Sequence, residues 1–445
     1  MSTASFFKRI LGEFVHPSEE ARAGRKAHRA VDLCHALLSE RGEVSGAALA
    51  REVLFEYQRL PEGAFAPFFD VLASDFSPRP EDVRSAAGAY CSDPSPDNLL
   101  RLQRAVEPPR QELFRRLNMA PGGTAALIAL RRRLLPGLTA NPAWKTIDAD
   151  LAHLLGSWFN RGFLTLQRID WHTPAIVLEK LTAYEAVHQI RSWRDLRRRL
   201  EADRRCFAFF HPVLPDEPLI FIEIALTKGM SAAVRPLLDP NSPVDDPARA
   251  DTAVFYSITN CQEGLRGISF GNLLIKQVAD ELGRSLPRVQ RYATLSPIPG
   301  FCAWLKGAGT RIAQLAGGQA LLEDIARLAS PDWHRDAQSA GVLQPLLMRL
   351  CAYYLLEARN DGEPADAVAR FHLGNGARLE RLNWLADLSK QGMQRSAGLM
   401  VNYVYDLSDV EKNHEAYVKD RRIAASHELR ALARDCPLSR QAGKP

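Results

Sequence analysis

The chain has 445 residues, 46% of them hydrophobic, which is enough to bury a large core and long enough for two or three domains. Its net charge of +5, from 57 basic and 52 acidic residues, is too small and too dispersed to mark a nucleic-acid binder. Seven cysteines without CxxC spacing argue against a zinc site or a disulfide framework, and no run reaches the roughly 18 to 20 uninterrupted apolar residues of a membrane span.

In chain order, the first feature is Phe6, Phe7, Ile10 and Leu11 around Lys8 and Arg9, an amphipathic stretch without the apolar core and cleavage site of a signal peptide. A cytoplasmic protein with no membrane partner is expected. The next 160 or so residues read as helices joined by proline-rich turns. Gly46–Leu60 carries Leu49, Val53 and Tyr57 in register, and Asn98–Val106 follows Pro94, Pro96 and an acidic cap region at Asp97. Thr124, after Pro121-Gly-Gly123, is the expected N-cap of a helix running into Arg131-Arg-Arg133, where cations suit the helix dipole. No alternation of strand type and no fixed-period repeat interrupts this region. Residues 1–165 are therefore expected to form an all-helical domain. Phe65, Phe68 and Phe69, read as surface residues, suit its use in assembly.

Beyond Phe163 to Trp171 the texture changes. Ile176–Leu181 and Trp193–Leu200 are helical in pattern, whereas Cys206–Phe210 and Leu219–Leu226 are dense apolar runs of strand length. Pro212, Pro215-Asp216 and Pro218 lie between them and predict a hairpin. Ala253–Ile258 is a third strand, followed by glycines 264, 267 and 271 and a helix from near Asn272 with Leu274, Ile275, Val278 and Leu282 on one face. Strand, glycine loop and helix start can cradle a phosphate, because the first amides of a helix lack internal partners; a plain tight turn is the other reading. The spacing is neither Gly-x-Gly-x-x-Gly nor a loop ending Gly-Lys-Ser/Thr. Arg266-Gly267-Ile-Ser-Phe-Gly271-Asn272 resembles the pyrophosphate loop of the N-acetyltransferase-like fold, in which such a loop holds coenzyme A. With helices returning at Gln344–Glu357 and toward the end of the chain, residues 166–445 are expected to form a mixed α/β domain of that kind.

Seven ordered segments then coincide with one family. Phe209-Phe-His-Pro212, Ala253–Ile258, Gly264-Leu-Arg-Gly267 with Leu274-Ile-Lys276, and Leu295-Ser-Pro-Ile-Pro-Gly-Phe301 come first. Pro345-Leu-Leu-Met-Arg-Leu-Cys351, Phe371-His-Leu-Gly-Asn-Gly-Ala377 and Gly398-Leu-Met-Val-Asn-Tyr403 follow, and the set resembles the malonyl-CoA decarboxylase family across the second domain. The resemblance implies removal of CO2 from malonyl-CoA to leave acetyl-CoA, without a metal or organic cofactor. It also implies malonyl-CoA contacts at Arg266, Gly267, Ile268, Ser269, Phe270, Gly271 and Asn272, and catalytic roles for Ser296 and His372, which then also touch substrate. Some members carry an acidic residue where this chain has Ser269, so that carboxylate's role does not transfer. The final Ala442-Gly-Lys-Pro445 lacks the Ser-Lys-Leu address of some eukaryotic relatives.

The chemistry requires donors where an enolate oxygen gathers charge, and an acid that delivers one proton to carbon. His372 suits the acid because an ordinary imidazole pKa of about 6.5 leaves both forms accessible. Ser296, on a turn pinned by Pro297 and Pro299, is expected to bond either His372 or the substrate carboxylate, and Tyr405 is an accessory. His211 is read as structural, and Asn375, Asn402 and Tyr403 as donors near the thioester or as local backbone partners. Cys206, Cys261 and Cys302 are read as buried thiols. The run Arg197-Arg-Arg199 with Arg204-Arg205 reads as a solvated helix face or as a site for a nucleotide phosphate. An acyl-CoA-dependent N-acyltransferase and a non-catalytic acyl-CoA sensor are the alternative functions, and a homo-oligomer, dimer or tetramer, is the expected assembly.

Overall fold

The computed structural model describes residues 19–39, 43–268 and 274–441. The amphipathic N-terminal stretch and loop positions Ser269, Phe270, Gly271 and Asn272 lie outside the described residues. By internal packing the chain divides into two compact units, Met1–Phe163 with Gln262–Ser269, and Leu164–Cys261 with Phe270–Pro445.

The first unit is helical. Phe65, Phe68 and Phe69 recur at i, i+3 and i+4 on the helix Phe65–Ser74, so they form one stripe, and that stripe is buried. Tyr57 meets Phe65 edge-on at 5.6 Å between centroids, Trp144 meets Phe69 at 5.1 Å, and the Arg133 guanidinium lies 4.2 Å above the Phe65 ring. These aromatics are core, which corrects their reading as surface residues: three apolar rings on one helix face cost too much in water to be left uncovered.

The N-cap at the next glycine pair also differs from expectation. The helix Gly123–Leu134 is capped by Gly122 in the left-handed region, φ 77°, and Thr124 is already inside it, its hydroxyl donating to Asn118 Oδ1 at 2.7 Å. A Cβ on Gly123 would stand 1.9 Å from the Leu117 carbonyl oxygen, so Gly123 serves a close backbone approach and Gly122 the left-handed turn. The Asp97 helix starts at Pro96, with Ser95 as its cap.

The segment Gln262–Ser269 groups with this unit although the sequence assigns it to the second domain. Arg131 makes the attachment. Its Nε pairs with Asp148 at 2.8 Å, and its Nη1 donates to the carbonyls of Gly264 and Arg266, each at 2.8 Å. A Cβ on Gly264 would lie 2.0 Å from the Ile128 carbonyl oxygen, so that glycine is explained by packing.

The second unit is built on a sheet of eight strands: β1 (Thr165–Ile169), β2 (Arg204–Phe210), β3 (Ile220–Thr227), β4 (Thr252–Asn260), β5 (Arg291–Thr294), β6 (Ser296–Pro297), β9 (Arg378–Asn383) and β10 (Met400–Tyr405). The order is β1-β2-β3-β4-β5-β10-β6, with β9 also on β10; the short β7 (Arg359–Asn360) and β8 (Glu363–Pro364) pair separately. The hairpin expected from the prolines is β2 against β3, antiparallel. Both strands are buried on both faces, which is why they read as continuous apolar runs. β4 and β5 are parallel and joined through the helix Leu274–Ser285, whose Leu274, Ile275, Val278 and Leu282 are buried as its pattern predicts. This is the helical region followed by a mixed α/β domain that the sequence implied.

The β4–β5 ladder runs from Thr252↔Arg291 to Phe255↔Thr294. β4 then continues to Asn260, while the chain after Thr294 steps across to β10. Among the described residues one helix, Ala337–Leu356, is long and apolar enough to cross a membrane; its Leu343, Leu346, Leu347, Leu350 and Cys351 are buried within the unit.

Candidate active site

Ser296 precedes a proline, and the clash with the proline ring favours extended backbone, which suits its place in β6. There it pairs with Val401 of β10. His372 lies in the last turn of the helix Ala367–Gly374, where Gly376, φ 80°, turns the chain out; a Cβ at Gly376 would meet the Val410 carbonyl oxygen at 2.1 Å. The histidine-glycine motif of the sequence is therefore a helix end and its exit. Tyr405 closes β10.

These three residues meet. His372 Nε2 lies 3.0 Å from Ser296 Oγ, and His372 Nδ1 lies 2.7 Å from the Tyr405 hydroxyl. Ser296 in turn donates to Thr294 Oγ1 at 2.8 Å, which also accepts the Tyr403 amide at 3.2 Å. With Ser296 donating onward, its oxygen accepts from His372 Nε2–H, and Nδ1 accepts from Tyr405. Burial pushes the Tyr405 hydroxyl far above its ordinary pKa, so it keeps its proton and remains a donor. The line runs Tyr405, His372, Ser296, Thr294.

The imidazole is neutral in this setting. Burial lowers the His372 pKa from 6.5 to about 3, because exclusion of water disfavours the charged ring. The two forms therefore do not coexist near neutrality, contrary to the expectation from an ordinary imidazole. Below the ring, Tyr403 stacks at 4.4 Å between centroids. Asn402 holds the floor, donating to the Thr294 carbonyl at 2.6 Å and accepting from Asn383 at 2.8 Å.

Thr294 was not singled out in the sequence. Its signal was there: two residues before Ser296 in an extended run, it shares the same face. Of the loop residues, Arg266 is exposed, Gly267 is left-handed at φ 80°, and Ile268 is buried. His211 is structural, its Nδ1 accepting the Val213 amide at 3.3 Å, and Asn375 donates to the Phe371 carbonyl at 2.8 Å. Burial raises the thiols of Cys206, Cys261 and Cys302, so none is a ready nucleophile.

Arg197 of the arginine run is exposed, as a solvated helix face requires, but three of its members are not. Arg198, Arg199 and Arg204 are buried. Arg198 grips Asp203 with two bonds of 2.7 and 3.0 Å, Arg204 reaches the same carboxylate at 2.8 Å, and Arg199 pairs with Glu223 at 3.0 Å. Carboxylates on the adjoining β2–β3 segment, invisible in a linear reading of the run, draw these guanidinium groups inward.

Comparison with known proteins agrees with this architecture. Residues 162–442 match the malonyl-CoA decarboxylase C-terminal domain and residues 76–159 its N-terminal domain. The mitochondrial malonyl-CoA decarboxylase of Anser anser anser is 37% identical over 353 residues, 74% of this chain and 70% of that one. The enzyme of Rattus norvegicus is 36% identical over 356 residues, 75% and 72% of the two chains. The solved malonyl-CoA decarboxylase of Rhodopseudomonas palustris is 50% identical with a TM-score of 0.87, covering 91% of this chain and 99% of that one. The Agrobacterium vitis structure is 48% identical with a TM-score of 0.85 and the same coverage. Two domain matches in the right order, on a fold shared along nearly the whole chain, place this protein in the malonyl-CoA decarboxylase family.

Proposed function

We propose that the protein converts malonyl-CoA to acetyl-CoA and CO2 at Ser296, His372 and Tyr405. The observation that carries the reading is the buried hydrogen-bonded line through both nitrogens of His372. Departure of CO2 leaves the electron pair of the broken C–C bond on the thioester as an enolate, which takes one proton at carbon. One proton is consumed for each CO2 released. The neutral imidazole is suited to acquire it on binding, since an anionic malonyl group close to the ring supplies the opposite charge that favours imidazolium. Tyr405 then turns from donor to acceptor at Nδ1, a change that any hydroxyl can make by rotation. As Ser296 Oγ turns to the substrate, His372 Nε2–H is released, delivers its proton to the enolate carbon, and leaves a neutral ring whose Nδ1–H is held by Tyr405. Until then Ser296 keeps the Nε2 side of the ring aligned, and Thr294 keeps Ser296 aligned.

The coenzyme A portion is assigned to the loop Arg266–Asn272. Arg266 offers an exposed cation, and a Cβ built on Gly267 meets nothing within 4 Å among the described residues, which leaves room there for a polyanion to approach that backbone. Self-association is part of the same proposal, now on other residues than the buried phenylalanines. The helix Pro96–Val106 buries none of its residues and exposes Leu99, Leu100 and Val106. Light scattering is expected to give an oligomer, and Leu100→Glu to lower its mass; a wild-type monomer removes this part.

The test is CO2 and acetyl-CoA release from malonyl-CoA by the wild type and His372→Ala, with binding measured on both. Wild-type turnover, and a variant that binds but is slowed by about 10² to 10⁴, is the expected result. A wild type that binds malonyl-CoA and releases no CO2 returns the protein to the acyltransferase or sensor reading.

A further inference from the structure

Ser296 and His372 are 76 positions apart and reach their contact from different segments, one a short strand and the other a helix. Asp366 touches what lies behind both. Its side chain is 1% exposed. Oδ1 accepts the amides of Val368 at 3.0 Å and Ala369 at 2.9 Å, capping the helix that carries His372. Capping needs one oxygen only. The other, Oδ2, is turned to the Tyr354 hydroxyl at 3.4 Å. The amide of Gly300, which closes the Ser296-Pro-Ile-Pro-Gly turn, also favours the carboxylate, joining the two cap amides against the upward push of burial. Gly300 is held close: a Cβ there would stand 2.2 Å from the Tyr354 hydroxyl and 3.6 Å from Asp366 Oδ2.

Resting on the decarboxylase reading, we propose that Asp366 is a positioning residue: it ties the start of the His372 helix to the end of the Ser296 turn and so sets the Ser296–His372 contact. A cap alone does not require the second oxygen to face the Ser296 turn. A cross-tie does.

Asp366→Asn separates the two roles. Its amide oxygen still accepts the cap amides, while its NH2 group sets a donor against the Gly300 amide, and the Tyr354 hydroxyl must turn from donor to acceptor. The expected result is a kcat lower by about 10- to 100-fold, since displacements near 1 Å at a reacting contact cost that much, with KM for malonyl-CoA unchanged within about twofold. Because Asp366 acts through Ser296, Ser296→Ala/Asp366→Asn is expected to be no slower than Ser296→Ala alone. An Asp366→Asn enzyme at wild-type kcat, or losses that multiply in the double variant, overturns the inference. Should Asp366→Asn fail to fold, Tyr354→Phe leaves the cap intact and takes the same cycle: a smaller kcat loss, absent without Ser296, supports the cross-tie, and wild-type kcat overturns it. A wild type that releases no CO2 defeats the decarboxylase reading itself, and is told apart by being seen before any variant is made.

Discussion

Ser296, His372 and Tyr405 are as deeply buried as Arg198, Asp203 and Arg204, yet burial keeps His372 and Tyr405 neutral, whereas Asp203 is held as a carboxylate between two guanidinium groups. The difference lies in the partners. Burial pushes the Asp203 carboxyl up, and the Arg198 hydrogen bonds and the Arg204 charge more than reverse it, leaving it below the usual carboxylate range. The ring nitrogens of His372 meet hydroxyls, which bond to either protonation state. A buried charge with its counter-charge already in place is committed. A buried neutral ring is left to respond to whatever charge arrives, which is the property that the proposed proton donor requires.

The sharpest break between the two clusters is a pair of variants. His372→Ala is expected to lose about 10² to 10⁴ in kcat while staying folded. Asp203→Ala is expected to strand two buried guanidinium groups and lose roughly 3 to 5 kcal/mol in urea unfolding. An Asp203→Ala protein of wild-type stability means that these charges are better hydrated than their burial indicates.

The next contrast is in pH. Burial pushes the Glu223 carboxyl from 4.5 up to about 8 against the pull of Arg199, so the folded state holds a proton that the unfolded chain has released. Its contribution is therefore complete below pH 4.5 and lost as pH rises through about 8. His372 has the opposite sign: its folded pKa is depressed, so its contribution is complete above pH 6.5 and lost as pH falls toward about 3. Each slope is at most about 1.4 kcal/mol per pH unit. Glu223→Gln is expected to flatten stability on the alkaline side and His372→Asn on the acid side, read as urea midpoints across pH. An unchanged alkaline slope in Glu223→Gln means that Glu223 is already ionised beside Arg199.

The smallest effect concerns the relay alone. Tyr405→Phe removes the hydroxyl at Nδ1 and is expected to lower kcat about tenfold with little change in KM. A wild-type kcat in this variant takes Tyr405 out of the relay.

Local pattern was enough for much of this. The apolar runs of β2, β3 and β4 and the spacing of Leu274, Ile275, Val278 and Leu282 read correctly because period and branching act within a few residues. β9 and β10 were missed as strands: β10 is interrupted by the buried Asn402, whose bonds go to Thr294 and Asn383 from elsewhere in the chain. Phe65, Phe68 and Phe69 read as surface residues in the sequence and are core in the fold, because a helical stripe shows which residues share a face and not what covers it.

The sequence by itself determined the family and the order of a helical region and a mixed α/β domain, and it singled out Ser296 and His372 as candidates, since motifs survive as strings of residues. Only the tertiary structure decided that those two side chains touch, that Tyr405 completes the line, and that the imidazole is neutral. It also decided that Arg198, Arg199 and Arg204 turn inward to Asp203 and Glu223. The reason is common to all of these. Protonation state and hydrogen-bond partner depend on the distance to groups far away in the chain and on the exclusion of water, and neither exists until the chain has closed on itself.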